Sequence, residues 1–369
     1  LLLSPGGVAT AFCCRRAAWR RFWALEGLLA VGWISQSLSR GDLAQKHRGH
    51  SPPAAPSMTT TSGRDALETH APEHASLLAR LDAGAWQSVQ ACNRVDLFDL
   101  ASQAVALQHG LPTLERPSQL GASPWTKDYV ARWRKADDLE LEDRATLHLA
   151  EQFAFNVAST QADQREAYFA ALQGDSVVVA QAIYAADLVP RSRAALDILF
   201  GPSDWSQGPQ EPAPELAAVI DDVIRRVPSL QEIDPVVTEL VRLLGARRHA
   251  CRVCQSVRSY SAMEAGAGDE MFDAVENYDA HDFSDAQKAA LAFADGFLAS
   301  PARFESATAS TLRENFAPAA RVELVLDMMR NATNKLAVAL GGDAPRVETG
   351  YEVYDVKANG EIEYGLTAP

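Results

Sequence analysis

Strand-forming sequence is nearly missing from this chain. β-branched alternation bounded by turns hardly occurs, which argues against a sandwich, a barrel or a parallel sheet. Cysteines number only five, at positions 13, 14, 92, 251 and 254. So sparse and odd a set in 369 residues does not describe a disulfide scaffold. Positive charge is also short: 34 Lys and Arg face 48 Asp and Glu. Residues 1–57 carry seven of the basic residues against Glu26 and Asp42, a balance of +5, which leaves −19 for the remainder. An acidic body repels phosphate backbones, which excludes nucleic-acid binding as its main role. No apolar run is long enough to span a bilayer, which takes about 20 residues. The run over residues 22–34 is broken by Glu26.

That run follows a basic flank (Arg15, Arg16, Arg20, Arg21), and the first methionine is Met58. Residues 1–57 therefore read as an upstream extension or leader outside the working protein, and the body reads as cytoplasmic. From Met58 onward apolar residues recur at three- and four-residue spacing, as at Leu141, Ala145, Leu149 and Phe153 and again at Val236, Leu240, Leu243 and Leu244. Ser284-Asp-Ala-Gln287 is a capping-box pattern that predicts a helix over 286–298. Pro318 predicts the start of a long helix over about 319–340, closed by Gly341-Gly342. Asn359-Gly360 predicts a short hairpin in the tail, residues 346–369. The fold class is all-α. A Gly/Pro/Ser-rich stretch at 201–214 divides it into an N-terminal half (64–205) and a C-terminal half (212–345).

The densest chemical signal is Glu239-Leu-Val-Arg-Leu-Leu-Gly-Ala-Arg-Arg-His-Ala-Cys251-Arg-Val-Cys254-Gln-Ser-Val-Arg258. Gly245 predicts the end of one helix and Cys251 the start of another. Thiols in a first helical turn feel its positive end, and Arg247, Arg248, Arg252 and Arg258 add cations; both favour thiolate. Two sulfurs at this spacing can attack a substrate in turn and close a disulfide. Other readings stay open: a pair of buried structural cysteines, or arginines that form a solvated face. A zinc site is disfavoured, because about four ligands are needed and only the cysteine pair and His249 are local. No metal and no cofactor is expected.

A glutamate twelve residues before a C-x-x-C resembles the signature of the alkylhydroperoxidase D-like (AhpD-like, carboxymuconolactone decarboxylase) superfamily. The stretch from Arg321 to Gly341 resembles that family's closing helix, and Leu188-Val-Pro-Arg-Ser-Arg-Ala-Ala-Leu196 resembles the same element in the N-terminal half, where no cysteine pair precedes it. The resemblance implies an AhpD-like helical fold in two tandem halves, the first degenerate, assembled into homo-oligomers. It implies a thiol-dependent hydroperoxide reductase or thiol–disulfide oxidoreductase in antioxidant defence. Its substrate would be a small hydroperoxide or disulfide and its reductant a dithiol, from a lipoyl protein or a thioredoxin-like partner. By position, Cys254 corresponds to the attacking (peroxidatic) thiolate, Cys251 to the resolving thiol and Glu239 to the acid of a proton relay. The family motif continues C-x-x-C-x-x-x-H, and here that histidine is Arg258. One helical turn would place Cys254 and Arg258 on one face. A guanidinium can hold a thiolate but cannot accept and return a proton near neutral pH. His249 is the candidate to stand in. Two alternatives accompany this reading: a non-redox decarboxylase-like enzyme on a small organic acid, its arginines binding the carboxylate, and a non-catalytic oligomeric binding protein.

Overall fold

Helices begin where the sequence supplies caps. In a computed structural model that describes residues 61–206, 215–304, 306–357 and 359–369, Ser62 and Asp65 form a capping box that opens α1 (Gly63–His70). Helices α2 (Leu77–Ala91), α3 (Val95–His109), α4 (Lys127–Ala131), α5 (Leu141–Phe155), α6 (Ala162–Leu172) and α7 (Ser176–Leu199) follow. Then come α8 (Leu216–Arg226), α9 (Pro235–Arg248), α10 (Arg252–Gln255), α11 (Tyr260–Glu264), α12 (Asp269–Asp273), α13 (Asp285–Ala299), α14 (Ser306–Asn315), α15 (Pro318–Asn331) and α16 (Asn334–Leu340). The described residues are overwhelmingly helical, and the fold is all-α with a small sheet at its edge. None of their helices is long and apolar enough to cross a membrane. The leader assigned to residues 1–57 lies outside the described residues, as does 207–214 of the dividing stretch.

Helix α7 is the core element. Its residues from Val179 to Ser192 are buried on every side, Pro190 included, the pattern of a helix enclosed by neighbours. It packs against α1, α2, α3 and α15. The approach of α1 is close enough that a Cβ on Gly63 would lie 2.7 Å from the Leu196 carbonyl carbon. Both halves meet on α7: Tyr184 donates to the Met329 carbonyl at 2.9 Å, and α2 lies on α8. Residues 64–205 and the described part of 212–345 thus belong to one compact unit.

The capping box at Ser284 and Gln287 forms as the sequence predicts. The long closing helix does not run unbroken. It stops at Asn331 and restarts at Asn334, and ends at Gly341 with φ +76°. Gly245 does not end the helix that carries Glu239; α9 runs through it to Arg248. The tail forms the hairpin β2 (Glu352–Val356) and β3 (Ile362–Leu366). It also adds a partner the sequence did not announce: β1 (Val257–Ser259), immediately after the cysteines, pairs parallel with β2.

Candidate functional site

Helix α9, capped by Asp234 with Pro235 in its first turn, carries Glu239 and Arg242 one turn apart. Glu239 is buried, and Arg242 grips its carboxylate with Nε at 2.6 Å and Nη2 at 2.8 Å. The Ser259 amide and the Tyr354 hydroxyl donate to the same carboxylate at 3.1 and 3.2 Å. Arg242 also donates to the carbonyls of Cys254 (2.8 Å) and Val257 (3.0 Å). Burial alone would depress its guanidinium, but Glu239 holds it above its ordinary value. The glutamate expected as a relay acid is therefore the anchor of a buried clamp on the cysteine segment. Four donors occupy its two oxygens: two from Arg242, one from Ser259 and one from Tyr354.

After Arg248 the chain reverses through Ala250, which adopts φ +50°, a costly left-handed conformation for a residue with a Cβ. Cys251 then caps α10: its Sγ accepts the Cys254 amide at 3.3 Å, and its own amide donates to the Ala246 carbonyl at 2.9 Å. The two sulfurs form a disulfide with Cα atoms 5.3 Å apart, an ordinary separation. Cys251 is 0% exposed and Cys254 6%, so both cysteines are buried, Cys251 completely.

The four arginines do not form a free positive niche. Arg247 binds Asp273 and Glu276, at 3.2 and 3.3 Å. Arg248 binds Asp295 at 2.8 Å. Arg252 binds Asp343 at 2.8 Å. Arg258 is not on the cysteine helix, because that helix ends at Gln255 and position 258 lies in β1. Its Nη1 donates to the carbonyls of Gln255 and Val257, and its guanidinium lies between the rings of Tyr351 (5.0 Å) and Phe272 (5.5 Å). Burial, then the charge of Arg242, depress it. The helical-face pairing of Cys254 with Arg258 is thus corrected: one turn of helix leads directly into a strand. His249 caps the end of α9, and its imidazole is pushed down to about 3, first by burial and then by the charges of Lys335 and Arg191. A group held that low is a weak proton acceptor near neutral pH.

Those last charges belong to a cluster that the sequence reading missed. Asp187, on α7, receives Arg191 Nε at 2.7 Å and Lys335 Nζ at 2.5 Å. His109 Nε2 lies 2.9 Å from Asp187 and 2.8 Å from Arg191 Nη2. All four residues are buried. Burial would raise the Asp187 carboxyl, yet Arg191 and Lys335 hold it well below the usual carboxylate range. Burial brings Lys335 down to about 8 and keeps His109 below its ordinary value. Two cations thus share one carboxylate, with Lys335 also over the Phe153 ring at 4.5 Å. Arg191 extends to the carbonyls of Ala154, Phe297 and Leu298. The available signal was an Asp and an Arg four residues apart inside an otherwise apolar helix. Their partners lie 78 and 148 residues away in sequence.

No family model matches the chain, and no solved structure matches it. The chain is similar to two proteins of Mycobacterium tuberculosis, "Uncharacterized protein MT2376" of strain CDC 1551 / Oshkosh and "Uncharacterized protein Rv2313c" of strain ATCC 25618 / H37Rv. Each is 38% identical over 227 residues, which cover 58% of this chain and 78% of the relative. With that identity maintained over most of their length, the chain belongs to the family of these mycobacterial proteins.

Proposed function

We propose that this chain is a thiol–disulfide oxidoreductase that reduces small hydroperoxides or disulfides through Cys251 and Cys254. The observation that carries this reading is the bonded pair and its asymmetry: Cys251 is wholly buried with its sulfur accepting a backbone amide, whereas Cys254 keeps a 6% exposure. In the reduced state the Cys254 thiolate attacks the peroxide, breaking its O–O bond; Cys254 becomes a sulfenic acid and the alkoxide leaves, taking a proton from water to become the alcohol. The Cys251 thiolate then attacks that sulfur and expels hydroxide, which takes up a solvent proton as water, and the disulfide closes. An external dithiol, lipoyl or thioredoxin-like, attacks Cys254 Sγ. Cys251 departs as a thiolate that the Cys254 amide stabilises, and the dithiol is left as a disulfide. The net exchange turns one hydroperoxide and one dithiol into an alcohol, water and a disulfide. Neither Glu239 nor His249 serves as the base in this scheme. The AhpD-like resemblance of residues 239–258 supports it, and with it we propose a homo-oligomer working in a reducing, cytoplasmic setting.

Turnover of an organic hydroperoxide with dihydrolipoamide tests the reading. Wild-type chain should turn over, and Cys254→Ser should abolish the reaction. Cys251→Ser should trap a single sulfenic acid, detectable by dimedone. A wild-type pair that reduces only when the chain unfolds, with no turnover, would overturn it. That result would favour a second reading, a structural cross-link, which the burial of both sulfurs and the paired arginines also suit.

A further inference from the structure

The acid that Arg252 binds comes from the turn after α16. Gly341 takes φ +76° and the Gly342 amide returns to the Ala337 carbonyl at 2.7 Å, a left-handed helix ending that reverses the chain. A Cβ on Gly341 would also approach Arg165 Cδ to 3.3 Å. The reversal brings buried Asp343 against the cysteine segment. Its Oδ2 accepts the Arg252 amide, the peptide group that leaves Cys251, at 3.0 Å, and its backbone carbonyl accepts the Val253 amide at 3.1 Å. Arg252 returns Nε to Oδ2 at 3.1 Å and Nη2 to Oδ1 at 2.8 Å. The amides of both residues between the cysteines, Arg252 and Val253, are therefore bonded to one aspartate. The carboxylate is buried, whereas the side chain of its counter-ion is 60% exposed, so water screens the guanidinium more than the carboxylate. The other charged groups nearby are Arg165 of α6, which donates to the carbonyls of Val338 and Ala339 at 3.1 Å each, and, beyond neutral His249, the Lys335–Asp187–Arg191 cluster.

We propose that Asp343 sets the redox poise of the Cys251–Cys254 pair as a positioning residue. Its charge disfavours the thiolate and so holds the pair toward disulfide, and Arg252 moderates that effect. The proposal rests on the redox reading above. Its physics is Coulombic: a carboxylate beside a thiol raises the cost of a second negative charge, and a cation lowers it. The exchange that reports the poise is that of the protein dithiol with glutathione disulfide, which gives the protein disulfide and two molecules of glutathione. Whatever destabilises the thiolate moves it toward the protein disulfide.

The experiment measures, on the full chain, the pH dependence of Cys254 alkylation by peptide mass mapping and the equilibrium of the pair with glutathione. In Asp343→Asn, which keeps an oxygen acceptor for the Arg252 amide, the thiol should ionise about half to one pH unit lower. That means roughly threefold to tenfold faster alkylation below the pKa. The glutathione equilibrium should shift by a similar factor toward dithiol, about 15–30 mV, since tenfold is about 30 mV. Arg252→Gln should move both readouts the opposite way. A merely structural role would shift both variants in one direction through loosened packing. Variants that move together, or that keep wild-type values with a native circular dichroism spectrum, overturn the proposal. A wild-type pair that never exchanges with glutathione would instead sink the redox reading, and the poise proposal with it.

Discussion

The cysteine segment and the Asp187 cluster treat charge in opposite ways. Around the cysteines four arginines lie within twelve residues of sequence, yet three are neutralised by acids from elsewhere: Asp273, Glu276, Asp295 and Asp343. In the buried stretch of α7 only Asp187 and Arg191 are charged, and tertiary contacts concentrate charge there by adding Lys335. A local run of one sign therefore says little about the local field, because the surface recruits counter-ions. A charge inside an apolar helix says much more, because burying it without a partner costs several kcal/mol.

The largest effect should come from breaking the cluster. Asp187→Ala leaves Arg191 and Lys335 buried without a carboxylate and should cost about 3–5 kcal/mol of stability, read from urea unfolding midpoints. Lys335→Met, which leaves the Asp187–Arg191 pair intact, should cost clearly less. Equal losses would mean the cluster is not organised around Asp187.

Next is Glu239→Gln. If the carboxylate clamps Arg242, the variant should lose about 1.5–3 kcal/mol, the range for hydrogen bonds to charged groups. The cysteine segment should also loosen, and the Cys251–Cys254 disulfide should reduce faster. A variant of unchanged stability that loses activity alone would restore the relay role instead.

A smaller and pH-dependent effect resides on α15. Glu323 is raised to about 8, by burial first and then by Asp327. Burial raises Asp327 to about 7, and its Oδ2 has no hydrogen-bond partner. Both carboxyls hold protons in the folded chain more tightly than in the unfolded one. Their contribution to stability is thus present in acid, below the unfolded values, and lost as pH rises through about 7 and about 8. Unfolding midpoints should fall between about pH 5 and pH 8, and Asp327→Asn should flatten that slope. A slope unchanged in the variant would remove Asp327 from the account.

Smallest of all, Ala250→Gly relieves the left-handed backbone before Cys251 and should add up to about 1 kcal/mol. A loss of stability would show that the alanine methyl contributes more by packing than its backbone costs.

Much of the architecture was legible because helix signals are local. The Ser284 capping box, Pro318 at a first turn and the Asn359-Gly360 turn are each encoded within a few residues. The cysteine pair was legible for the same reason. Arg258 was not, since its expected helical face depended on α10 continuing, and pairing with β2 about 95 residues later turns that stretch into a strand. Gly245 does not stop α9, because a glycine inside a buried helix costs only about 1 kcal/mol, which packing offsets.

By itself the sequence determined that this chain is helical, that two cysteines stand three residues apart, and which helices begin where. Those outcomes follow from propensity, capping and spacing, which act over a turn or two of backbone. Tertiary structure alone decided that Glu239 clamps Arg242, that Asp343 binds the amides of Arg252 and Val253, and that Asp187 gathers its cations. Coulombic and hydrogen-bond partners are chosen by proximity in space. Burial then makes each choice costly to reverse.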